Sequence, residues 1–201
     1  MRVTNARHYD EPRDSISHDW IRCLGDWGWV PALIPNGVDD PARFLDGLEV
    51  DVLILTGGDD LGASPARDKT ETTLLSHALE VGLPTLGVCR GMQLINRHFG
   101  GDMARIEGHV ARPHVVSFAP EWHTVYGREV TVNSYHELGI SAGSLAKPLS
   151  GFAFDADGCI EGLVHPDHGV AGVMWHPERN PGSPGDAVLL SNLAGDGAFW
   201  A

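Results

Sequence analysis

The sequence predicts an α/β protein: a three-layer α/β/α sandwich around a mostly parallel, flavodoxin-like sheet with an antiparallel insertion. Two short apolar runs carry this reading, residues 51–56 (DVLILT) and 84–88 (PTLGV), because strands buried on both faces of a parallel sheet lack polar alternation. Helix-compatible segments separate the strands of the first hundred residues in the order β-α-β-α-β-α, the pattern of a doubly wound sheet. The second half instead carries half-buried strand patterns at residues 128–132 and 159–164, which predict antiparallel additions.

Taken in order, a short first strand is expected around Val3 and Thr4. Residues 14–27 read as a helix with Asp14 or Ser15 as N-cap and Ile16, Trp20, Cys23, Leu24 and Trp27 along one face. A short strand is expected at 30–34, closed by Pro35-Asn36-Gly37, and a short helix at 43–48. The strand at 51–56 ends at Gly57-Gly58. A helix follows over 68–81, stopped by Gly82 and Pro84. After the strand at 84–88, a helix covers 91–99 and ends at Gly100-Gly101. Residues 169–175 (GVAGVMW) give another buried strand, and a closing helix spans 186–193. Neither repeats nor a long linker interrupt the chain, so residues 1–201 read as a single domain.

Composition narrows the function. The 201 residues carry 14 Lys+Arg against 27 Asp+Glu, a formal net charge of −13. Nucleic-acid binding is excluded on this reading, because neutralising phosphates takes clustered cations. Lys69 and Lys147 are the only lysines, which excludes a polybasic membrane patch, and no apolar run approaches the ~18 residues of a membrane span. The opening MRVTNARHYDEPRDS lacks the apolar stretch of a secretory signal. The expectation is a soluble, cytoplasmic protein. Cys23, Cys89 and Cys159 are too few and too scattered for a disulfide framework or a Cys-x-x-Cys site, so three free thiols are expected.

In doubly wound sheets, sites form outside the carboxyl ends of the parallel strands. Three segments put unusual residues there. In Gly87-Val-Cys-Arg-Gly91, glycines flank Cys89 on a strand-to-helix turn, the setting in which a nucleophile projects from a sharp bend at a helix N-terminus. The N–H of Arg90 would then face a developing oxyanion. Alone, the motif fits a small buried thiol equally well. In Trp175-His-Pro-Glu178, an extended backbone aims His176 and Glu178 to one side, as a base and the carboxylate that orients it. Alone, this fits a surface turn. In Leu55-Thr-Gly-Gly-Asp59, the Gly pair frees backbone amides for the second half of an oxyanion hole, with Gly58 as the expected donor and Gly57 as its alternate. Together the three favour a Cys89-His176-Glu178 triad.

The segments LTGGDDL, GVCRGMQLIN, VNSYHELGI and MWHPE, in this order, resemble the class I glutamine amidotransferase superfamily. The similarity is strongest to its γ-glutamyl hydrolase branch, the γ-glutamyl-γ-aminobutyrate hydrolases of peptidase family C26. The resemblance implies Cys89 as nucleophile, His176 as base, Glu178 as its orienting residue, and Gly58 with Arg90 as oxyanion hole. It places Gln93 on the glutamyl moiety and Ser134, Tyr135 and His136 in the loop covering that pocket. It implies hydrolysis of a small-molecule γ-glutamyl amide through a thioester, with no metal and no cofactor. The amine released is left open by the sequence. Two rivals stand beside it: a glutaminase subunit that passes ammonia to a separate synthetase partner, and a silent γ-glutamyl-binding module. A homodimer is the default assembly.

Eleven histidines raise the question of a metal. His165 and His168 are three apart but sit in an expected turn, and His109, His114 and His123 lie in the insertion. No thiolate pairs with either set, and the expectation is that there is no metal site.

Overall fold

A computed structural model describes residues 1–6 and 8–200. The chain opens with β1 (Arg2–Asn5) and β2 (Pro12–Ser15), paired as an antiparallel hairpin outside the main sheet. Helix α1 (His18–Asp26) starts at Ser17, whose hydroxyl accepts the Asp19 N–H, and α2 (Pro41–Asp46) starts at Asp40, which accepts from Arg43. Then come β3 (Leu53–Leu55), α3 (Pro65–Val81), β4 (Thr85–Val88) and α4 (Arg90–His98). Helix α3 stops because Gly82 turns left-handed (φ +73°), a conformation open to glycine at little cost.

The second half adds β5 (Ala104–Arg105), β6 (His114–Phe118), α5 (His123–Tyr126), β7 (Glu129–Val132) and β8 (Leu138–Gly139). It continues through β9 (Ser150–Phe154), β10 (Ile160–Val164), β11 (Val170–Val173) and α6 (Pro184–Asp196).

The main sheet has seven strands in the order β3-β4-β11-β10-β9-β6-β7. The pairs β3–β4 and β4–β11 are parallel, and every later pair is antiparallel. Alternation along β11 distributes side chains to both faces. Ala171 and Val173 join Leu86 and Val88 under α1 and α6, which contribute Trp20, Leu24, Leu189 and Leu193. Val170 and Met174 join Leu53 and Leu55 under α3 and α4, which contribute Leu74, Leu75, Met92 and Ile95. The result is helix, sheet, helix. Each fully buried Leu or Ile stabilises the stack by roughly 1.5–3 kcal/mol.

This is the α/β class expected, with corrections in detail. The parallel part is confined to three strands, because the first βα unit does not enter the sheet. Residues 30–34 form no strand: Pro31 has no N–H to give a ladder, and Val30 is 94% exposed. The segment is held instead at Asn36, whose N–H donates to Asp14 Oδ2 at 2.7 Å. Helix α1 begins at His18 rather than near Asp14, because Asp14 lies in β2 and Ser17 supplies the cap. No helix among the described residues is long and apolar enough to cross a membrane.

Candidate active site

Strand β4 delivers its chain to Cys89 in a conformation L residues rarely adopt (φ 51°, ψ −105°), and α4 begins at the next residue. Two constraints hold this strain. The Cys89 N–H donates to the Val173 carbonyl of β11 at 2.8 Å. The flanking glycines let backbone pass backbone: a Cβ on Gly91 would lie 2.0 Å from the Leu55 carbonyl oxygen, and one on Gly87 would lie 2.6 Å from the Gly91 carbonyl carbon. A strained residue held by its surroundings on a strand-to-helix turn is the geometry of a nucleophile elbow.

His176 follows β11 and lies beside this turn. Its Nδ1 is 2.8 Å from Glu178 Oε1, and both side chains are buried. An Nδ1–H donated to that carboxylate leaves Nε2 as the atom able to take a proton. The loop is clamped by Asn133, just beyond β7. Its Oδ1 accepts the His176 N–H at 3.0 Å, and its Nδ2 faces the carbonyls of His176 (2.8 Å), Arg179 (3.0 Å) and Pro181 (3.0 Å). Tyr135 stands edge-on to the His176 ring, centroids 5.7 Å apart, and the Arg179 guanidinium lies 4.6 Å from the centre of the Tyr135 ring.

The loop after β3 completes the cluster. A Cβ on Gly57 would lie 2.6 Å from His176 Cε1 and 3.5 Å from Cys89 Cβ, so both residues close on one point that only glycine leaves free. Arg67, 2% exposed on α3, donates through Nη2 to the carbonyls of Thr56 (2.7 Å) and Gly57 (3.0 Å). In a trans peptide the N–H opposes its C=O, so the amides of Gly57 and Gly58 point away from Arg67. Glu71 anchors Arg67 at 2.7 Å and also pairs with Arg90, which reaches Asp68 as well. One buried ion-pair network thus fixes both the Gly loop and the first turn of α4.

Burial sets the electrostatics. Cys89 is 6% exposed, and desolvation pushes its thiol up to about 12, opposed by the Arg90 backbone N–H that faces it. Burial therefore favours the thiol over the thiolate at this position.

The sequence-predicted residues do not all converge. Cys89, His176, Glu178, Gly58, the Arg90 N–H and Tyr135 gather at the carboxyl ends of β3, β4 and β11. Gln93 is buried one turn along α4, its Nε2 donating to the Leu138 carbonyl at 3.2 Å. Ser134 donates to the His109 carbonyl at 2.5 Å, and His136 turns its ring inward toward Glu161. These two side chains are committed away from the triad because the loop bridges Val110 to Tyr135, which leaves Tyr135 facing out and its neighbours facing in. His165 and His168 pack against each other at the opposite end of β11, and His123 bonds the Phe118 carbonyl. Sequence reasoning missed Asn133, Arg179 and the Arg67-Glu71-Asp68 network. Of these, only Asn133 lies inside one of the four sequence motifs.

Comparison with known proteins shows the family and the fold. The peptidase C26 family model matches residues 2–178. A glutamine amidotransferase candidate of Mycobacterium tuberculosis, Rv2859c, is 32% identical over 86% of this chain, which spans 65% of that protein's length. The γ-glutamyl-CDP-amidate hydrolase of Campylobacter jejuni is 32% identical over 87% of this chain and 85% of its own. A solved structure from Thermoplasma acidophilum, a candidate GMP synthase component, shares the fold, with a TM-score of 0.75 at 23% identity over 99% of this chain and 93% of its own. The family match extends from the first hairpin to the last member of the His176–Glu178 pair, and the chain belongs to the peptidase C26 family.

Proposed function

We propose that the protein hydrolyses the γ-glutamyl amide bond of a small γ-glutamyl compound, releasing glutamate and an amine through a thioester on Cys89. The observation that carries the reading is the strained Cys89 turn meeting the His176–Glu178 pair across Gly57. The first step moves the Cys89 proton to His176 Nε2 as Sγ attacks the γ-carbonyl carbon. The oxyanion takes hydrogen bonds from the Arg90 N–H and from the Gly58 amide, with Gly57 as its alternate. Arg67 supports that role by holding the loop's carbonyls on the other side. The C–N bond then breaks, and the imidazolium returns its proton to the departing amine. Water, deprotonated by His176, attacks the thioester; glutamate leaves and the thiol is restored.

Glu178 keeps the imidazole in the tautomer this sequence of steps needs. Tyr135, held by Arg179 over His176, borders the side on which the amine departs. The Campylobacter jejuni relative, by its name, acts on an amide whose nitrogen is carried by a nucleotide diphosphate, so the leaving group here extends to phosphoramidate nitrogen as well as alkyl amine.

The test is glutamate release by the purified chain from a panel: L-glutamine, γ-glutamyl-γ-aminobutyrate, other small γ-glutamyl amides and a γ-glutamyl nucleotide amidate. Turnover of one γ-glutamyl amide well above glutamine, reduced by at least about 10³-fold in Cys89→Ala, supports the proposal. Turnover of glutamine alone, dependent on an added synthetase, replaces it with the ammonia-delivering glutaminase. Tight binding without turnover replaces it with the silent module.

A further inference from the structure

Away from the triad, three histidines and a glutamate meet inside the antiparallel half of the sheet. Glu161, on β10, is 1% exposed. His114 at the start of β6 brings Nε2 to 3.5 Å from Glu161 Oε2, and His136 brings Nε2 to 3.6 Å from Oε1. His109 packs against both rings, with centroids 4.8 Å from His114 and 5.0 Å from His136. Ligand-capable atoms of His109, His114 and Glu161 all lie within 4.8 Å of one another.

These groups lack partners. Among the described residues, His114 Nδ1 and Nε2, His136 Nε2 and Glu161 Oε2 are buried and make no hydrogen bond. Leaving such atoms unsatisfied costs about 1–3 kcal/mol each, so the arrangement calls for an occupant. His136 is the most telling. Its Nδ1 lies 3.1 Å from the Leu138 carbonyl, so Nδ1 carries the proton and the Nε2 lone pair faces a carboxylate. Two acceptors aimed at each other repel unless a cation lies between them.

We propose that His109, His114, His136 and Glu161 bind one divalent transition-metal ion of the zinc class. The donor set is imidazole nitrogen and carboxylate oxygen, which suits zinc and its neighbours better than calcium or magnesium. The spacing fits as well: ligands ~2.1 Å from a tetrahedral ion stand about 3.4 Å apart, close to the 3.5 and 3.6 Å separations around Glu161. The histidines are also supported from behind. His136 Nδ1 is held by the Leu138 carbonyl and His109 Nδ1 by the Glu107 carbonyl at 3.0 Å; His109 Nε2, 3.0 Å from Asp155 Oδ2, has to leave that carboxylate to reach the ion. The ligands come from three separated segments, 109–114, the 134–136 loop and β10, so no single short motif announces them, and the sequence expectation of no metal is revised. Such an ion would staple the 109–114 segment to the 134–136 loop, the loop that presents Tyr135 to His176.

The test uses the full chain, stripped with a chelator and titrated with ZnCl2, with metal content, calorimetric stoichiometry and thermal unfolding as readouts. The expected result is one zinc per chain and a rise in Tm of about 5 °C at saturating metal. His114→Ala and Glu161→Gln abolish both, while His168→Ala, outside the cluster, keeps them. The half-buried position of His114 makes its variant the one that folds if Glu161→Gln does not. Co²⁺ substitution gives tetrahedral d–d absorption that His114→Ala loses. No stoichiometric zinc in wild type, or equal uptake by His114→Ala, overturns the proposal and leaves a proton shared between His114 and Glu161 as the occupant.

Discussion

At the scale of single residues, the site depends on side chains with no catalytic chemistry of their own. Asn133 holds the backbone around His176 through contacts to four backbone groups, so Asn133→Ala frees the imidazole from its position against Cys89. Misplacement by about 1 Å costs on the order of 10²-fold, and kcat/KM is expected to fall by about that factor, mostly in kcat. Steady-state kinetics beside a circular dichroism spectrum checks this, and an unchanged kcat refutes the positioning role. The Cys89 thiol gives a second prediction. Because burial pushes it up to about 12, the resting sulfur is protonated at neutral pH, and its alkylation by iodoacetamide must climb steadily from pH 6 to pH 9. A plateau below pH 7, read on the Cys89 peptide by mass spectrometry, would reveal a preformed thiolate instead. Cys89, His176 and Glu178 were legible in the sequence because each sits in a short motif with glycine or proline beside it. Asn133 was not, because its partners lie more than forty residues on, and neither was Arg67, because its bonds tie a helix back to the loop before it and no local pattern marks them.

At the scale of elements, α3, α4 and α6 are fixed to the site by buried charge. Glu71 on α3 pairs with Arg67 and Arg90, both almost fully buried. Removing it in Glu71→Ala leaves two buried guanidinium groups short of a partner, at an expected cost of about 3–5 kcal/mol in chemical denaturation. A loss under 1 kcal/mol would show that water reaches the network. Helix α6 starts with a capping box at Ser183 and Asp186, and Asp186 Oδ1 also accepts from Tyr126 and Trp175. Burial raises this carboxyl from its ordinary 3.8 to about 6. Between those values the folded chain holds a proton that the unfolded chain has released, so this group's contribution to stability falls as pH rises through the window. Relative to Asp186→Asn, wild type should lose about 2 kcal/mol between pH 4.5 and 7.5. A constant difference across that range contradicts the shift.

The elements also show where sequence patterning succeeds and fails. The runs at β3, β4 and β11 were readable because a strand buried on both faces has one simple signature. The segment at 30–34 looks like such a strand by composition, yet Pro31 denies it a ladder and Ile34 lines an apolar cavity of about 360 Å³ beside β3 and α1. Pairing is a property of two segments. A pattern in one of them reports only half of it.

At the scale of the whole molecule, a three-stranded parallel core positions the cluster of Cys89, His176 and Glu178, and a four-stranded antiparallel flank carries the loops that surround it. The parallel half holds the strained Cys89 turn and the Gly57-Gly58 loop. The flank supplies Asn133 and Tyr135 and, beneath them, the histidine cluster around Glu161. In the reaction we propose, these parts serve one event: Cys89 attacks a γ-glutamyl carbonyl and carries the acyl group. The most direct measurement is intact-protein mass spectrometry after exposure to a glutamine-like electrophile, a diazoketone analogue of the γ-amide. One adduct per chain, mapped to Cys89, absent in Cys89→Ala and slowed in His176→Ala, is the predicted result. An unmodified chain, or an adduct shared with Cys23 and Cys159, would contradict it.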